Sequence, residues 1–141
     1  MRVFKTEVFL ESVKKQRIKD TDLIAVAEEF SKGNKGVEIQ KNLFKKRVKR
    51  QGAGKSGGYR MYLAYQKGSS LFFILSQDRK DANKKNKQSK NEINKKSNSN
   101  LKLSAKQLLL LKRYAEGYLE MEDKDIERAL KNNTLYEILM K

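Results

Sequence analysis

The chain has 141 residues and a formal net charge of +16, because 33 lysines and arginines outnumber 17 aspartates and glutamates. It contains no cysteine and no histidine, which excludes disulfides and thiolate metal sites and removes the commonest general base. No apolar run reaches the roughly 18 residues of a membrane span, so we expect one cytoplasmic domain that has an anionic partner and needs neither a membrane nor a cofactor.

The N-terminal region predicts one strand followed by two helices. Residues 2–5 have the pattern of a short strand, and Thr6 can cap a helix over residues 7–17. Asp20 or Thr21 can cap a second helix, in which apolar residues recur at helical spacing. We expect the two helices to form an N-terminal helical hairpin that packs on a sheet.

Three strands are predicted next, over residues 43–50, 59–66 and 71–77. The third is nearly all apolar, which indicates a central strand covered on both faces. Side chains alternate between two faces along the first two strands. On the first strand, one predicted face carries Lys45, Arg47 and Lys49 and the other carries Phe44, Lys46 and Val48. On the second strand, one predicted face carries Arg60, Tyr62 and Ala64 and the other carries Tyr59, Met61, Leu63 and Tyr65.

These strands lie in a stretch without acidic residues. Between Glu38 and Asp78 there are nine lysines and arginines and no carboxylate. Natural surfaces usually mix both signs of charge, so the imbalance favours a polyanion as partner over a merely solvated face. Arg60 lies in the middle of a strand, where an arginine is either buried against a carboxylate or directed at an external anion, and we favour the anion.

The remainder of the chain divides into two parts. Residues 81–103 are rich in asparagine and lysine and are expected to be a disordered insertion, which separates a core of residues 1–80 from a helical segment of the same domain, residues 104–141. Ser104 and Gln107 form a capping box, and a second short helix is expected over residues 123–131. Residues 134–140 fit either a last helical turn or an edge strand.

Three central segments resemble the RelE/ParE superfamily of bacterial toxins, and most closely its HigB-like branch. They are Leu43-Phe44-Lys45-Lys46-Arg47-Val48, Gly52-Ala53-Gly54-Lys55-Ser56-Gly57-Gly58-Tyr59-Arg60 and Leu71-Phe72-Phe73-Ile74. The resemblance covers nearly the whole chain apart from about residues 81–100. Gln77 departs from it, because the family usually has an aromatic residue there.

The resemblance implies an α+β fold, with an N-terminal helical hairpin on a small, twisted, mainly antiparallel sheet and C-terminal helices. It also implies a type II toxin that cleaves mRNA on the ribosome, inhibits translation and is held inactive by an antitoxin. The arginine of the family's central motif falls on Arg60, its basic pair on Lys45 and Lys46, and the basic residue that ends the next strand on Arg79.

RNA carries its own nucleophile, the 2′-hydroxyl, so such cleavage requires alignment, charge stabilisation and proton transfer but no metal. Arginines suit the phosphorane because guanidinium matches phosphate oxygens bidentately. A lysine can act as a weak acid or base, and Tyr62 as a proton carrier or stacking platform. The catalytic candidates are Arg60, Arg79, Lys46, Lys45 and Tyr62, and the RNA-binding candidates are Arg47, Lys49, Arg50, Lys55 and Lys80.

Two other functions fit the same basic stretch. One is a ParE-like toxin that acts on gyrase and has no ribonuclease activity. The other is a noncatalytic protein of the same fold that binds RNA or the ribosome. A geometry in which Arg60, Arg79 and Lys46 surround one phosphate would favour the nuclease over both.

Overall fold

The computed structural model describes residues 1–49, 58–78 and 103–140. These residues form an α+β fold with four helices and one six-stranded mixed sheet, as the sequence predicts at the level of fold class. Several predicted features lie outside the described residues: most of the glycine-rich link, nearly all of the 81–103 insertion, and Arg50, Lys55, Arg79 and Lys80.

The elements follow one another in a simple order. They are β1 (Val3–Thr6), α1 (Glu7–Ser12), α2 (Asp20–Ser31), β2 (Val37–Gln40), β3 (Leu43–Val48), β4 (Tyr59–Tyr65), β5 (Leu71–Asp78), α3 (Ala105–Leu119), α4 (Asp123–Lys131) and β6 (Leu135–Ile138). The spatial order of the strands is β2-β3-β4-β5-β1-β6. Only the β1–β5 pair among these strands is parallel, so the described sheet is mainly antiparallel.

The predicted N-terminal strand is present as β1, but the description of the fold as an N-terminal helical hairpin on a sheet is wrong, because this strand comes first. β1 lies inside the sheet, between β5 and β6. The Thr6 hydroxyl accepts a hydrogen bond from the Phe9 amide at 3.1 Å and donates one to the Phe73 carbonyl at 2.9 Å. Thr6 thus caps α1, as predicted, and also fixes that cap to β5. The helix itself ends at Ser12 rather than at residue 17.

The two pairs of helices pack on opposite faces of the sheet. On the α1/α2 face, Phe9 and Phe30 belong to one core together with Met61 and Leu63 of β4. On the α3/α4 face, a second core joins α3 and α4 to the sheet, and its buried members include Leu43, Tyr62, Ala64, Phe72, Ile74, Leu111, Ala115 and Ile126. Alternate residues of β4 enter different cores, so the predicted alternation is confirmed.

The C-terminal segment resolves the choice left open by the sequence. The predicted capping box is present, since the Ser104 hydroxyl accepts from the Gln107 amide at 3.1 Å and Gln107 Oε1 accepts from the Ser104 amide at 2.9 Å. After α4, Asn133 adopts a positive φ of 60°, and the chain then enters strand β6, which pairs with β1. Within the described ranges, no helix is long and apolar enough to cross a membrane.

Candidate nucleic-acid interface

Two arginines and a glutamine form a row across three neighbouring strands. Arg60 of β4 lies directly opposite Arg47 of β3 on one side and opposite Gln77 of β5 on the other. Directly opposite residues in an antiparallel pair have Cβ atoms about 4.5–5.5 Å apart, and like charges in such positions repel. An anion bound at this row would remove the repulsion, and phosphate suits it because each guanidinium can bind two oxygens.

A third cation lies next to this row. Lys45 lies two residues before Arg47 on β3 and opposite Tyr62 on β4, so it shares the α3/α4 face of the sheet with Arg47 and Arg60. We call Lys45, Arg47 and Arg60 the basic face. Arg47 is exposed, whereas Lys45 and Arg60 are 6% and 2% exposed. The basic face therefore extends from the surface into the interior, where charges interact more strongly than they do in water.

Tyr62 is buried beneath the row formed by Arg47, Arg60 and Gln77, and its hydroxyl contacts Gln77. Its hydroxyl donates a hydrogen bond to Gln77 Oε1 at 3.1 Å, and its ring is fully buried in the core of the α3/α4 face. Burial raises the pKa of Tyr62 above its ordinary value, although the positive charge of Arg60 partly opposes this. The phenol thus stays protonated at neutral pH and orients Gln77, and its buried ring is not available to stack on a base.

Lys46 lies on the other side of the sheet from Arg60. It is opposite Met61 in the β3–β4 pair, and its Nζ is 3.6 Å from a carboxylate oxygen of Glu29 on α2. Neighbouring residues of a strand point to opposite faces, so a sequence pair such as Lys45 and Lys46 cannot serve one site from the same strand. The structure places Lys45, and not Lys46, on the face of Arg60.

Lys49 also departs from its predicted position. β3 ends at Val48, and Lys49 lines a cavity on the α1/α2 face together with Val48 and Tyr59. The sequence pattern grouped Lys49 with Lys45 and Arg47, but strand alternation stops where the strand stops. Of the predicted RNA-binding residues within the described ranges, Arg47 alone belongs to the basic face.

The role of Gln77 was missed by sequence reasoning, which noted only that it replaces an aromatic residue. Near the β4–β5 turn, Tyr65 pairs with Leu71 and Leu63 with Phe73, a register that would place Ser76 opposite Arg60. An irregularity between Tyr62 and Leu63 shifts the register by one residue, as a β-bulge does. The bulge therefore sets Gln77 beside Arg60, and the sequence carries no clear signal for it.

The fold and the basic face together define an α+β protein whose sheet carries a cluster of cationic side chains on one face. In the part of the chain that the structure describes, no group of three or more histidine, cysteine, aspartate or glutamate residues could hold a metal ion.

A family model described as the RelE toxin of the RelE/RelB toxin–antitoxin system matches residues 1–113. No curated protein matches the sequence. Because the family model covers most of the chain, the protein belongs to the RelE toxin family, and the resemblance seen in the sequence is confirmed at that level. Membership implies a toxin of a toxin–antitoxin system, with an antitoxin as its partner.

Proposed function

We propose that the protein is a HigB-like toxin that cleaves mRNA on the ribosome in the cytoplasm and so inhibits translation. Membership of the RelE toxin family supports a toxin. The observation that carries the proposed activity is the opposition of Arg47 and Arg60, with Gln77 beside them. Two guanidinium groups and an amide at one end of a rigid sheet suit a single ribose-phosphate unit.

In the proposed reaction the 2′-hydroxyl of the mRNA attacks the adjacent phosphorus. The bond from phosphorus to the 5′-oxygen of the next nucleotide breaks, giving a 2′,3′-cyclic phosphate and a free 5′-hydroxyl. Arg60 and Arg47 stabilise the charge that develops on the phosphorane oxygens. Alignment of the attacking and leaving oxygens contributes further, since a well-held geometry of this kind is worth about 7–11 kcal/mol.

Two protons move in this reaction: one leaves the 2′-hydroxyl and one reaches the leaving 5′-oxygen. We assign one of these transfers to Lys45, because it is the lysine of the basic pair that shares a face with Arg60, and the other proton is exchanged with solvent. Tyr62 acts indirectly in this proposal, by holding Gln77. Arg79 keeps its proposed catalytic role, and Arg50, Lys55 and Lys80 their RNA-binding roles, from the family correspondence and the charge of the sequence alone.

Noncatalytic binding of RNA or the ribosome by the same face is the second candidate. The position of Lys46 on the α1/α2 face and the burial of Tyr62 favour it, because both reduce the number of groups near Arg60 that can transfer a proton. A binding protein needs only the cations, which the basic face retains.

Expression in cells, followed by mapping of transcript 5′ ends, tests the proposal. We expect new 5′ ends inside translated codons, and their loss in an Arg60→Ala variant whose circular dichroism spectrum and antitoxin binding are unchanged. Growth arrest with intact mRNA and damaged DNA would instead indicate a gyrase-directed toxin. If mRNA and DNA both stay intact and the protein is bound to ribosomes, the result would support noncatalytic binding as the function.

A further inference from the structure

A cationic cavity lies on the α1/α2 face, on the opposite side of the sheet from the basic face. Its volume is about 410 Å³, within the range of pockets that bind small ligands. It opens between the connection from α1 to α2 and the adjoining ends of β3 and β4. The residues that line it are Lys15, Arg17, Ile18, Lys19, Asp22, Val48, Lys49, Tyr59 and Met61.

The charges around this cavity are unbalanced. Lys15, Arg17, Lys19 and Lys49 are all exposed, and within the described residues none of them forms an ion pair. The single acidic residue of the lining, Asp22, accepts a hydrogen bond from the Lys19 amide at 2.9 Å and so caps α2. The rim is therefore suited to an anionic group such as phosphate.

The floor of the cavity has a different character. Tyr59 and Met61 are buried residues of β4, and Ile18 and Val48 are partly buried beside them. Apolar walls of this kind favour a flat, weakly polar group, and a cationic rim favours its charged end. A nucleotide has both parts, a base and a phosphate, whereas inorganic phosphate alone would leave the apolar floor unused.

The cavity also adjoins the basic face along the same two strands. Val48 follows Arg47 on β3 and Tyr59 precedes Arg60 on β4, with side chains on opposite faces of the sheet. We propose that this cavity binds one nucleoside monophosphate unit, with the base on the apolar floor and the phosphate at the cationic rim. The unit comes either from a strand of RNA or from a free nucleotide, and the proposal holds whether or not the basic face cleaves RNA.

The first experiment titrates the full-length chain with adenosine 5′-monophosphate at fixed ionic strength, followed by methyl and amide NMR. We expect saturable shifts at Ile18, Val48 and Met61. Replacement of both Lys15 and Arg17 by glutamine should weaken binding about tenfold or more, because two charge-assisted contacts are lost. The matched control replaces Lys14 and Lys32, which carry the same charge but do not line the cavity.

An absence of shifts at the floor residues would overturn the proposal. Equal weakening in the control variant would overturn it too, because diffuse attraction to a cationic protein would then explain the binding. A second titration distinguishes the sources of the unit. If a 2′-O-methyl oligoribonucleotide, which cannot be cleaved, displaces the mononucleotide from the floor residues, the natural ligand is RNA; if the mononucleotide stays bound, it is a free nucleotide.

Discussion

Arg47 and Arg60 lie directly opposite each other on β3 and β4, at positions where a pair of opposite charges would stabilise the sheet and a pair of like charges does not. In our proposal a bound anion offsets the repulsion of this pair, because its oxygens can accept hydrogen bonds from both guanidinium groups.

The first prediction concerns this pair. Arg47→Gln should raise the free energy of unfolding by about 0.2–1 kcal/mol, because it removes a cross-strand repulsion, while it weakens binding of single-stranded RNA. Urea unfolding and fluorescence anisotropy measure the two effects. Lys41→Gln is the control for net charge, since Lys41 is exposed outside the sheet strands. A fall in stability for Arg47→Gln would show that the pair is structural.

The second prediction separates the two adjacent lysines. Lys45→Met should reduce mRNA cleavage by about 10²–10⁴-fold, the usual contribution of a positioned acid or base. Lys46→Met should leave cleavage within a few-fold of the wild type, because that side chain lies on the α1/α2 face beside Glu29. Quantitative primer extension on ribosome-bound mRNA checks both. The reverse ranking would place the reacting phosphate on the wrong face of the sheet for our proposal.

Strand alternation, which depends only on sequence period, predicted correctly that Met61 and Tyr62 lie on opposite faces of the sheet and that Arg60 shares a face with Tyr62. Contacts between strands were not predictable in the same way, because they depend on register. The bulge near Tyr62 changes the residue opposite Arg60 from Ser76 to Gln77. No residue type in this part of the sequence indicates a bulge.

Two further features could not be predicted from the sequence: how deeply a side chain is buried and which structure a very short segment adopts. Arg60 is 2% exposed, and the sequence pattern of a strand does not reveal how deeply a mid-strand arginine is buried. Residues 135–138 became a strand because β1 offers them a free partner edge, and a segment so short has no periodicity that distinguishes a strand from a helical turn.

The third prediction concerns Glu137, which holds β6 to the start of the chain. Arg2 donates hydrogen bonds to both carboxylate oxygens of Glu137, at 3.0 and 2.9 Å, and so lowers the pKa of that carboxyl. A carboxyl with a lowered pKa stabilises the fold above its unfolded pKa, and this contribution is lost as the pH falls. Glu137→Gln should therefore destabilise the protein by about 0.2–1 kcal/mol at neutral pH, and chemical unfolding should show this difference shrinking as the pH falls through the acidic range in which the carboxyl becomes protonated.

The final prediction concerns the hydroxyl of Tyr62. Tyr62→Phe keeps the buried ring but removes the hydrogen bond to Gln77, so we expect a loss of about 0.5–1.5 kcal/mol in stability at neutral pH and several-fold slower cleavage as Gln77 loses its orientation. Because burial raises the pKa of Tyr62 above its ordinary value of 10.0, the unfolded chain loses the phenolic proton at a lower pH than the folded protein does. This contribution to stability is fully present below about pH 10 and is lost as the pH rises from there toward the raised pKa of the folded state. Wild-type stability should thus fall above about pH 10 more steeply than that of Tyr62→Phe. Parallel slopes in thermal unfolding across that range would mean that the hydroxyl titrates normally, and the proposed support of Gln77 by a buried phenol would be wrong.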